Sequence, residues 1–536
     1  MTRERHDPSS GYLMAAFESP DTPWGGVAAV FRFLPAALAQ VSRQPVYVTT
    51  PYHRRLLSRK SPTYKPIGQV AVRFGGESVP TRVLRRSAPT DNVQWIFLEP
   101  QTPDIFAGAA HPYDVDPSTL RRDALFFGAA ALRALDVLPT RLWSAAYLHD
   151  WQAATLALYV ASTRDTRLRH TFIHLHSSLD SGPLTDAELV HAGVDPARCR
   201  GPIGHADATV LQRALGAEIV AHPIFTVSRQ FAADLVEDSL QTHVMADHLQ
   251  PLLRGRLVGL NNGPFVARSV PEAVVDAASR GDCAGVLTWK NEQRADFLLS
   301  LRKTGDTTTR LWGERRRLRG DLPWILMAGR HDPQKGYDIA AAATRRALTR
   351  GLDASFVFAV LPGPEGLAGL RDLELLASDL PERVLVIPTR LEAGYSSLVS
   401  GATWALMPSR WEPFGMITEF AMRATPSIAR GTGGLLELVS GYRAAAAFSD
   451  AVRRRSDRWH SASAEPTGIL FRESDAVGSA ESIVDELCLA LEDAVRLVQD
   501  QPRRYARMIW AGIEHVERNF SWSNTAAELW RHAERR

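Results

Sequence analysis

Residues 407–438, MPSRWEPFGMITEFAMRATPSIARGTGGLLEL, constrain the fold more than any other stretch of the chain. An apolar run at 404–407 breaks at Pro408-Ser409-Arg410. A helical pattern of Ala, Met and Arg follows, then Ser427-Ile428-Ala429 and the turn Thr432-Gly433-Gly434. The order is strand, loop, helix, strand, glycine turn, helix. Such alternation predicts an α/β protein with a parallel sheet covered by helices, because parallel strands need crossover connections. In open parallel sheets, ligands bind beyond the carboxyl ends of the strands, and Glu412 and Thr432-Gly433-Gly434 fall at two such ends. Gly433 and Gly434 lack a Cβ and allow close backbone approach. A helix start behind them predicts N–H groups and partial positive charge aimed at an anion such as a nucleotide diphosphate. A glycine pair also serves as an ordinary tight turn, so its meaning depends on its surroundings.

The same alternation recurs elsewhere. Residues 12–17 form an apolar run that ends at Glu18, and Gly25-Gly26 then open a helical pattern. Residues 143–148 form a strand that ends in His149-Asp150-Trp151, and residues 171–176, TFIHLH, form a strand ending in histidines. His174 and His176, two apart, share a strand face and could ligate a metal, but no third ligand is near them in sequence. Residues 324–327 form a strand that runs into Gly329-Arg330-His331-Asp332-Pro333-Gln334-Lys335-Gly336. A guanidinium and an ammonium on one such loop can share the charge of a leaving diphosphate. The Arg453-Arg454-Arg455 run reads as a solvated loop.

Bulk properties exclude several classes. A length of 536 residues suits two large domains. The formal net charge of +3 gives no case for a nucleic-acid partner. The 3 cysteines, Cys199, Cys283 and Cys488, show no metal spacing and fit a reducing, cytoplasmic location. The apolar run before Glu18 is too brief for a signal-peptide core, and no apolar stretch reaches the ~20 residues of a membrane-spanning helix.

Taken together, Met407 to Gly415, Thr432 to Leu435 and Gly329 to Gly336 resemble the signature segments of the bacterial glycogen and starch synthases. These are retaining nucleotide-sugar glycosyltransferases of the GT-B fold, with two Rossmann-like domains facing across a cleft. Further segments are similar along nearly the whole chain: His149-Asp150-Trp151, His174, Phe225 to Ser228, Leu260 to Gly263, Thr467 to Phe471 and Phe520-Ser521-Trp522. The resemblance implies an N-terminal domain over 1–265, a helical passage over 266–320, a nucleotide-sugar-binding domain over 321–515, and a C-terminal helix over 516–536 that returns to the first domain.

It also implies roles. Arg330 and Lys335 would stabilise the leaving diphosphate, while Glu412 and His149 would hold the sugar. Gly25, Gly26, Asn262, Gly415, Thr432, Gly433 and Gly434 would complete the donor site, and Ser228 would cap a helix. No cofactor and no obligatory metal are implied. The partners are a nucleotide-diphosphate sugar and a saccharide acceptor. The expected activity is transfer of glucose from ADP- or UDP-glucose to an acceptor such as an α-glucan.

Three departures matter. Pro23 and Trp24 stand where the family has lysine and threonine in its N-terminal glycine loop, Ala29 stands where it has aspartate, and Phe420 stands where many relatives have a second glutamate but the bacterial synthases often have tyrosine, which it fits better. The first two leave open a small-molecule acceptor, or a nucleotide-sugar-binding regulatory protein without turnover. A dehydrogenase is disfavoured because no G-x-G-x-x-G follows the first strand.

Overall fold

The computed structural model describes residues 10–57, 63–87, 92–199, 207–237, 244–303, 311–315, 318–391, 393–474 and 480–535. They form two compact units: the chain up to Phe265 joined by the residues from Ser521 onward, and the chain from Val266 to Phe520.

In the first unit the strands are β1 (Ser10–Ala15), β2 (Val46–Pro51), β3 (Tyr64–Phe74), β4 (Glu77–Arg86), β5 (Val93–Pro100), β6 (Leu142–His149), β7 (Thr171–Leu175), β8 (Ile224–Thr226) and β9 (Leu257–Gly259). The sheet order is β3-β4-β5-β2-β1-β6-β7-β8-β9. Seven strands from β5 to β9 in this order run parallel, while β3 and β4 form an antiparallel hairpin at one edge. The hairpin turns at Gly75-Gly76, with φ +64 and +78, the left-handed values that a tight two-residue turn requires. Within β1, residues 11–15 are all buried, as expected for a strand covered on both faces.

The last helix, Trp522–Glu534, completes this unit's core, where Trp522 and Leu529 join Tyr12, Phe31, Trp95 and Tyr147. Its polar ties are equally specific. The Tyr12 hydroxyl donates to Glu534 at 2.8 Å, the Tyr147 hydroxyl to the Leu529 carbonyl at 2.8 Å, and the Thr525 hydroxyl to the Asn261 carbonyl at 2.6 Å.

In the second unit the strands are β10 (Trp324–Arg330), β11 (Ser355–Leu361), β12 (Val384–Ile387), β13 (Trp404–Met407), β14 (Ser427–Arg430) and β15 (Gly468–Phe471). All are parallel, in the order β12-β11-β10-β13-β14-β15. The chain winds from β10 to one edge and then returns to β13, so the strand order reverses between β10 and β13. That reversal opens a crevice at the carboxyl ends, the usual ligand position of such sheets.

Three expectations need correction. Residues 266–320 are not a separate passage, because helices Glu272–Arg280 and Cys283–Lys303 belong to the second unit. Lys290, fully buried, donates to the carbonyls of Ser400 and Ala402 at 3.0 and 2.7 Å, and Arg294 to the Gly401 carbonyl at 2.8 Å. The second unit also continues past 515, through helix Pro502–Asn519 to Phe520. The arginine run is no loop either. It lies in helix Asp450–Ser456, which exposes Arg453 and Arg454 but buries Arg455, whose guanidinium donates to the Ala451 carbonyl at 2.9 Å. No helix among the described residues is long and apolar enough to cross a membrane.

Candidate active site

In the second unit three loops leave the carboxyl ends of adjacent strands. Arg330 is the last residue of β10, and Lys335 follows it in the short 3-10 turn Pro333–Lys335. Glu412 lies just past β13, and Thr432, Gly433 and Gly434 just past β14. Arg330 and Lys335 thus flank the β10/β13 reversal from one side, and Glu412 from the other.

The first two loops are stitched together. Gly336 has φ +71, and a Cβ there would stand 2.6 Å from the Pro408 carbonyl oxygen, so only glycine lets the Lys335 loop lie against the loop after β13. The Arg410 amide donates to the Gln334 carbonyl at 2.8 Å, and the Gln334 amide group to the Trp411 carbonyl at 3.1 Å. An Arg410–Asp338 ion pair at 2.6 Å closes the outer side.

This stitching brings Lys335 Nζ to 2.7 Å from Glu412 Oε2. Ser409 donates to the same oxygen at 3.0 Å. The Glu412 side chain is only 5% exposed and Lys335 22%, so the pair sits where charge is only partly screened. Beneath it, Arg430 and Glu473 form a buried ion pair. The Arg430 guanidinium also donates to the carbonyls of Ser409 and Arg410 at 3.3 and 2.5 Å, bracing the loop that carries Glu412. Burial opposes ionisation of Glu473, but the Arg430 guanidinium outweighs it and holds the carboxyl below its ordinary pKa.

The glycine turn packs directly on Glu412. Gly433 has φ +49, and a Cβ there would overlap the Glu412 carbonyl oxygen. The Gly434 amide donates to that same carbonyl at 2.9 Å, and the Thr432 amide to the Arg430 carbonyl at 2.8 Å. The fold itself therefore uses two amides of the turn, rather than pointing all of them at a ligand, and the following helix, Leu435–Leu438, is a single turn. Gly415, with φ +96, lies against the Glu412 side chain, where a Cβ would come within 3.0 Å of Glu412 Cγ. Phe420, at the place of the family's second glutamate, is buried in helix Ile417–Ala421 and offers no carboxylate.

The first unit builds a different edge. Its strand order reverses between β1 and β6, and the loops after these two strands carry Gly25, Gly26 and His149. Glu18 Oε2 accepts from the amides of Trp24 and Gly25 at 3.0 and 2.7 Å. The Gly25 amide is therefore engaged within the unit. Gly26 has open space where a Cβ would be, which leaves room for a ligand to approach its backbone. Trp24 is 40% exposed and stacks on His111 with ring centroids 3.9 Å apart.

His149 ends β6 and precedes helix Asp150–Thr163. Asp150 has φ +61, a conformation aspartate tolerates better than most residues, and its carboxylate accepts from the His176 amide at 2.7 Å. It ties β6 to the end of β7, a structural task. The β6/β7 register sets His149 opposite His174. His149 Nδ1 lies 2.8 Å from His176 Nε2, so three histidines cluster where sequence spacing showed two. Burial, and then the neighbouring imidazoles, hold His149 and His174 well below the ordinary histidine pKa. Burial lowers His176 to about 3 and raises Asp150 to about 7. Asn262 lies past β9 at the sheet edge, buried, with its side-chain oxygen without a hydrogen-bond partner among the described residues. Ser228 caps helix Arg229–Val236 by accepting from the Phe231 amide.

Ser409, Glu18 and Arg430 are the contributors that motif reading passed over. Ser409 and Arg430 lie within the opening stretch, but their partners become visible only in three dimensions.

Comparison with known proteins agrees with this architecture. The starch synthase catalytic domain family matches residues 12–254, and the family 4 glycosyltransferases of conflict systems match residues 300–529. The chain is 30% identical over 379 residues to a glycogen synthase of Alkalilimnicola ehrlichii, covering 67% of this chain and 71% of that one. It is 28% identical over 443 residues to a glycogen synthase of Thermus thermophilus, covering 79% and 85%. The catalytic domain of starch synthase IV from Arabidopsis thaliana, solved with ADP and acarbose, superposes with a TM-score of 0.72 at 18% identity, over 98% of this chain and 99% of that one. The fold is GT-B.

Proposed function

Because this chain belongs to the glycogen and starch synthase family and is a glycosyltransferase using a nucleotide-sugar donor, we propose that it transfers glucose from ADP- or UDP-glucose to an α-glucan with retention of anomeric configuration. The observation that carries this reading is the Lys335–Glu412 pair at 2.7 Å, set at the strand reversal and backed by Gly433 and Gly434. Bond breaking between the anomeric carbon and the diphosphate oxygen leaves positive charge on the sugar and negative charge on the diphosphate. Lys335 supplies a point charge and Arg330 a planar fork to the latter, cations fixed in place before the charge develops. Thr432 and the Gly433 backbone receive the phosphates. Glu412, held by Ser409, accepts from sugar hydroxyls and fixes the orientation of the donor, which lowers the entropic part of the barrier. The acceptor hydroxyl attacks on the face the diphosphate leaves, and its proton passes to a diphosphate oxygen. This route requires no covalent sugar intermediate and no metal in the chemical step. On the first unit, His149 and Asn262 are polar groups at the carboxyl edge of its own sheet, and Gly26 leaves its backbone unobstructed. The starch synthase IV structure, with ADP and the saccharide acarbose bound, supports both partner classes.

A second reading, transfer to a small-molecule acceptor, is favoured by the first unit's loop, where the exposed Trp24 ring takes the place of the family's threonine and Ala29 that of its aspartate. Nucleotide release measured with ADP-glucose and UDP-glucose, against glycogen, maltose and a set of small hydroxyl acceptors, decides between them. Turnover on glucans supports polymer extension. Turnover confined to small acceptors replaces it with the second reading, and binding without any turnover overturns both.

A further inference from the structure

The histidine cluster of the first unit has a geometry that sugar binding alone does not explain. His149, His174 and His176 each place a ring nitrogen within 4.8 Å of the other two. Their rings form a stack, with His174 and His176 centroids 4.7 Å apart and His149 4.9 Å from His174. One hydrogen bond, His149 Nδ1 to His176 Nε2 at 2.8 Å, is all the cluster makes of its ring nitrogens. Both nitrogens of His174, and Nε2 of His149, are buried with no hydrogen-bond partner among the described residues. His149 and His174 are 1% and 0% exposed. Burying a polar group without a partner is costly and rare, so three such nitrogens in one cluster need an explanation.

From this geometry we propose that His149, His174 and His176 form a three-nitrogen site for a divalent transition-metal ion, with zinc the best fit. Three imidazoles suit zinc, copper, nickel or cobalt, and a three-nitrogen set completed by one water is the tetrahedral pattern of zinc. Metal–nitrogen bonds of ~2.0 Å in a tetrahedron set the donor atoms about 3.3 Å apart. On binding, the 2.8 Å pair therefore opens by about half an ångström, the remaining nitrogen closes in, and the rings turn out of their stack so that their in-plane lone pairs converge. His176, the partly exposed member, gives the ion a way in, and water takes the fourth position. The buried carboxylate of Asp150, next to His149 in the chain and bonded to the His176 amide at 2.7 Å, supplies countercharge. Ligation through His149 Nδ1, the atom already facing His176, leaves the buried Nε2 free of the ion. The ion is thus a positioning element for His149 and takes no part in bond breaking, and the site does not depend on which donor or acceptor is used.

The full-length chain, stripped with chelator and titrated with Co2+ alone, tests this. The expected result is uptake of one ion per chain, with the intense visible d–d absorption of a tetrahedral site and no thiolate charge-transfer band. Zn2+ added afterwards should abolish that absorption. His174→Gln and His176→Asn should each weaken uptake by at least about a hundredfold. Since either variant may be poorly folded, X-ray absorption of the zinc-loaded wild type gives a second reading, expected to show imidazole scattering from three rings. Absence of uptake by the wild type, uptake that survives both substitutions, or a coordination shell lacking three imidazoles would each overturn the proposal.

Discussion

The carboxyl edges of the two sheets solve the same problem with opposite chemistry. In the second unit the loops carry fixed charge: Lys335 against Glu412, with Arg430 and Glu473 paired below. Backbone held by glycines at positive φ keeps that charge in place. In the first unit the corresponding loops carry neutral imidazoles, and the glycine loop's amides are taken by Glu18 instead of being left for a phosphate. The difference teaches that one edge is built from fixed, paired charge, while the other carries Pro23 and Trp24 where the family has lysine and threonine, beside a cluster of three histidines. On the proposed function, the charge of the second unit's edge serves the departing diphosphate and the Trp24 ring of the first unit serves the acceptor.

Four substitutions probe this contrast, from the largest effect to the smallest. Gly433→Ala places a methyl group on the Glu412 carbonyl at a backbone angle alanine avoids; transfer should fall by about 10² to 10³, the size of losing one preorganised electrostatic contact. Initial rates alongside circular dichroism would check it. Arg430→Met strands the buried Glu473 carboxylate and should cost about 3–5 kcal/mol of stability, most of it recovered by adding Glu473→Leu. The pH dependence follows in sign. Because Glu473 has a folded pKa below its ordinary value of 4.5, its contribution is complete above that value and lost as pH falls through the lower folded one. Thermal melts across this acid range should thus lose the component in the double variant, while Arg430→Met, whose buried Glu473 no longer has the guanidinium that outweighed its desolvation, should regain stability as the carboxyl is protonated. Glu18→Gln keeps the loop's hydrogen bonds but removes their charge, and a fall of about tenfold in kcat/KM is expected from the ~1–2 kcal/mol at stake. Trp24→Ala should raise the acceptor KM by about three- to tenfold, the scale of one stacking contact, and leave the donor KM unchanged. A donor effect there would erase the proposed separation between the two edges.

What could be read from the sequence follows the same divide. The second unit's site was legible because its residues lie in short windows directly after strands, Arg330 to Lys335, Glu412 to Gly415 and Thr432 to Gly434, where motif and strand end coincide. The histidine cluster was not, since His149 and His174 meet only through the β6/β7 register, which no local pattern encodes. Helix Cys283–Lys303 is not legible as part of the second unit, because Lys290 and Arg294 fasten it there through backbone carbonyls more than a hundred residues away in the chain. Arg455 misled in the same way. Long basic side chains with carbonyl acceptors are invisible to composition, since nothing nearby in the sequence announces the acceptor. The edge hairpin of β3 and β4 left only the signal of Gly75-Gly76.

The claim on which most depends is that the second unit's edge receives the diphosphate through Lys335. Calorimetric titration of ADP and UDP into the wild type and Lys335→Ala measures it directly. The account predicts that the nucleotide the wild type prefers binds at least about tenfold more weakly to the variant, a loss of roughly 1.4 kcal/mol, with its thermal transition little changed. Equal affinity in the two proteins, with equal transfer rates, would contradict it.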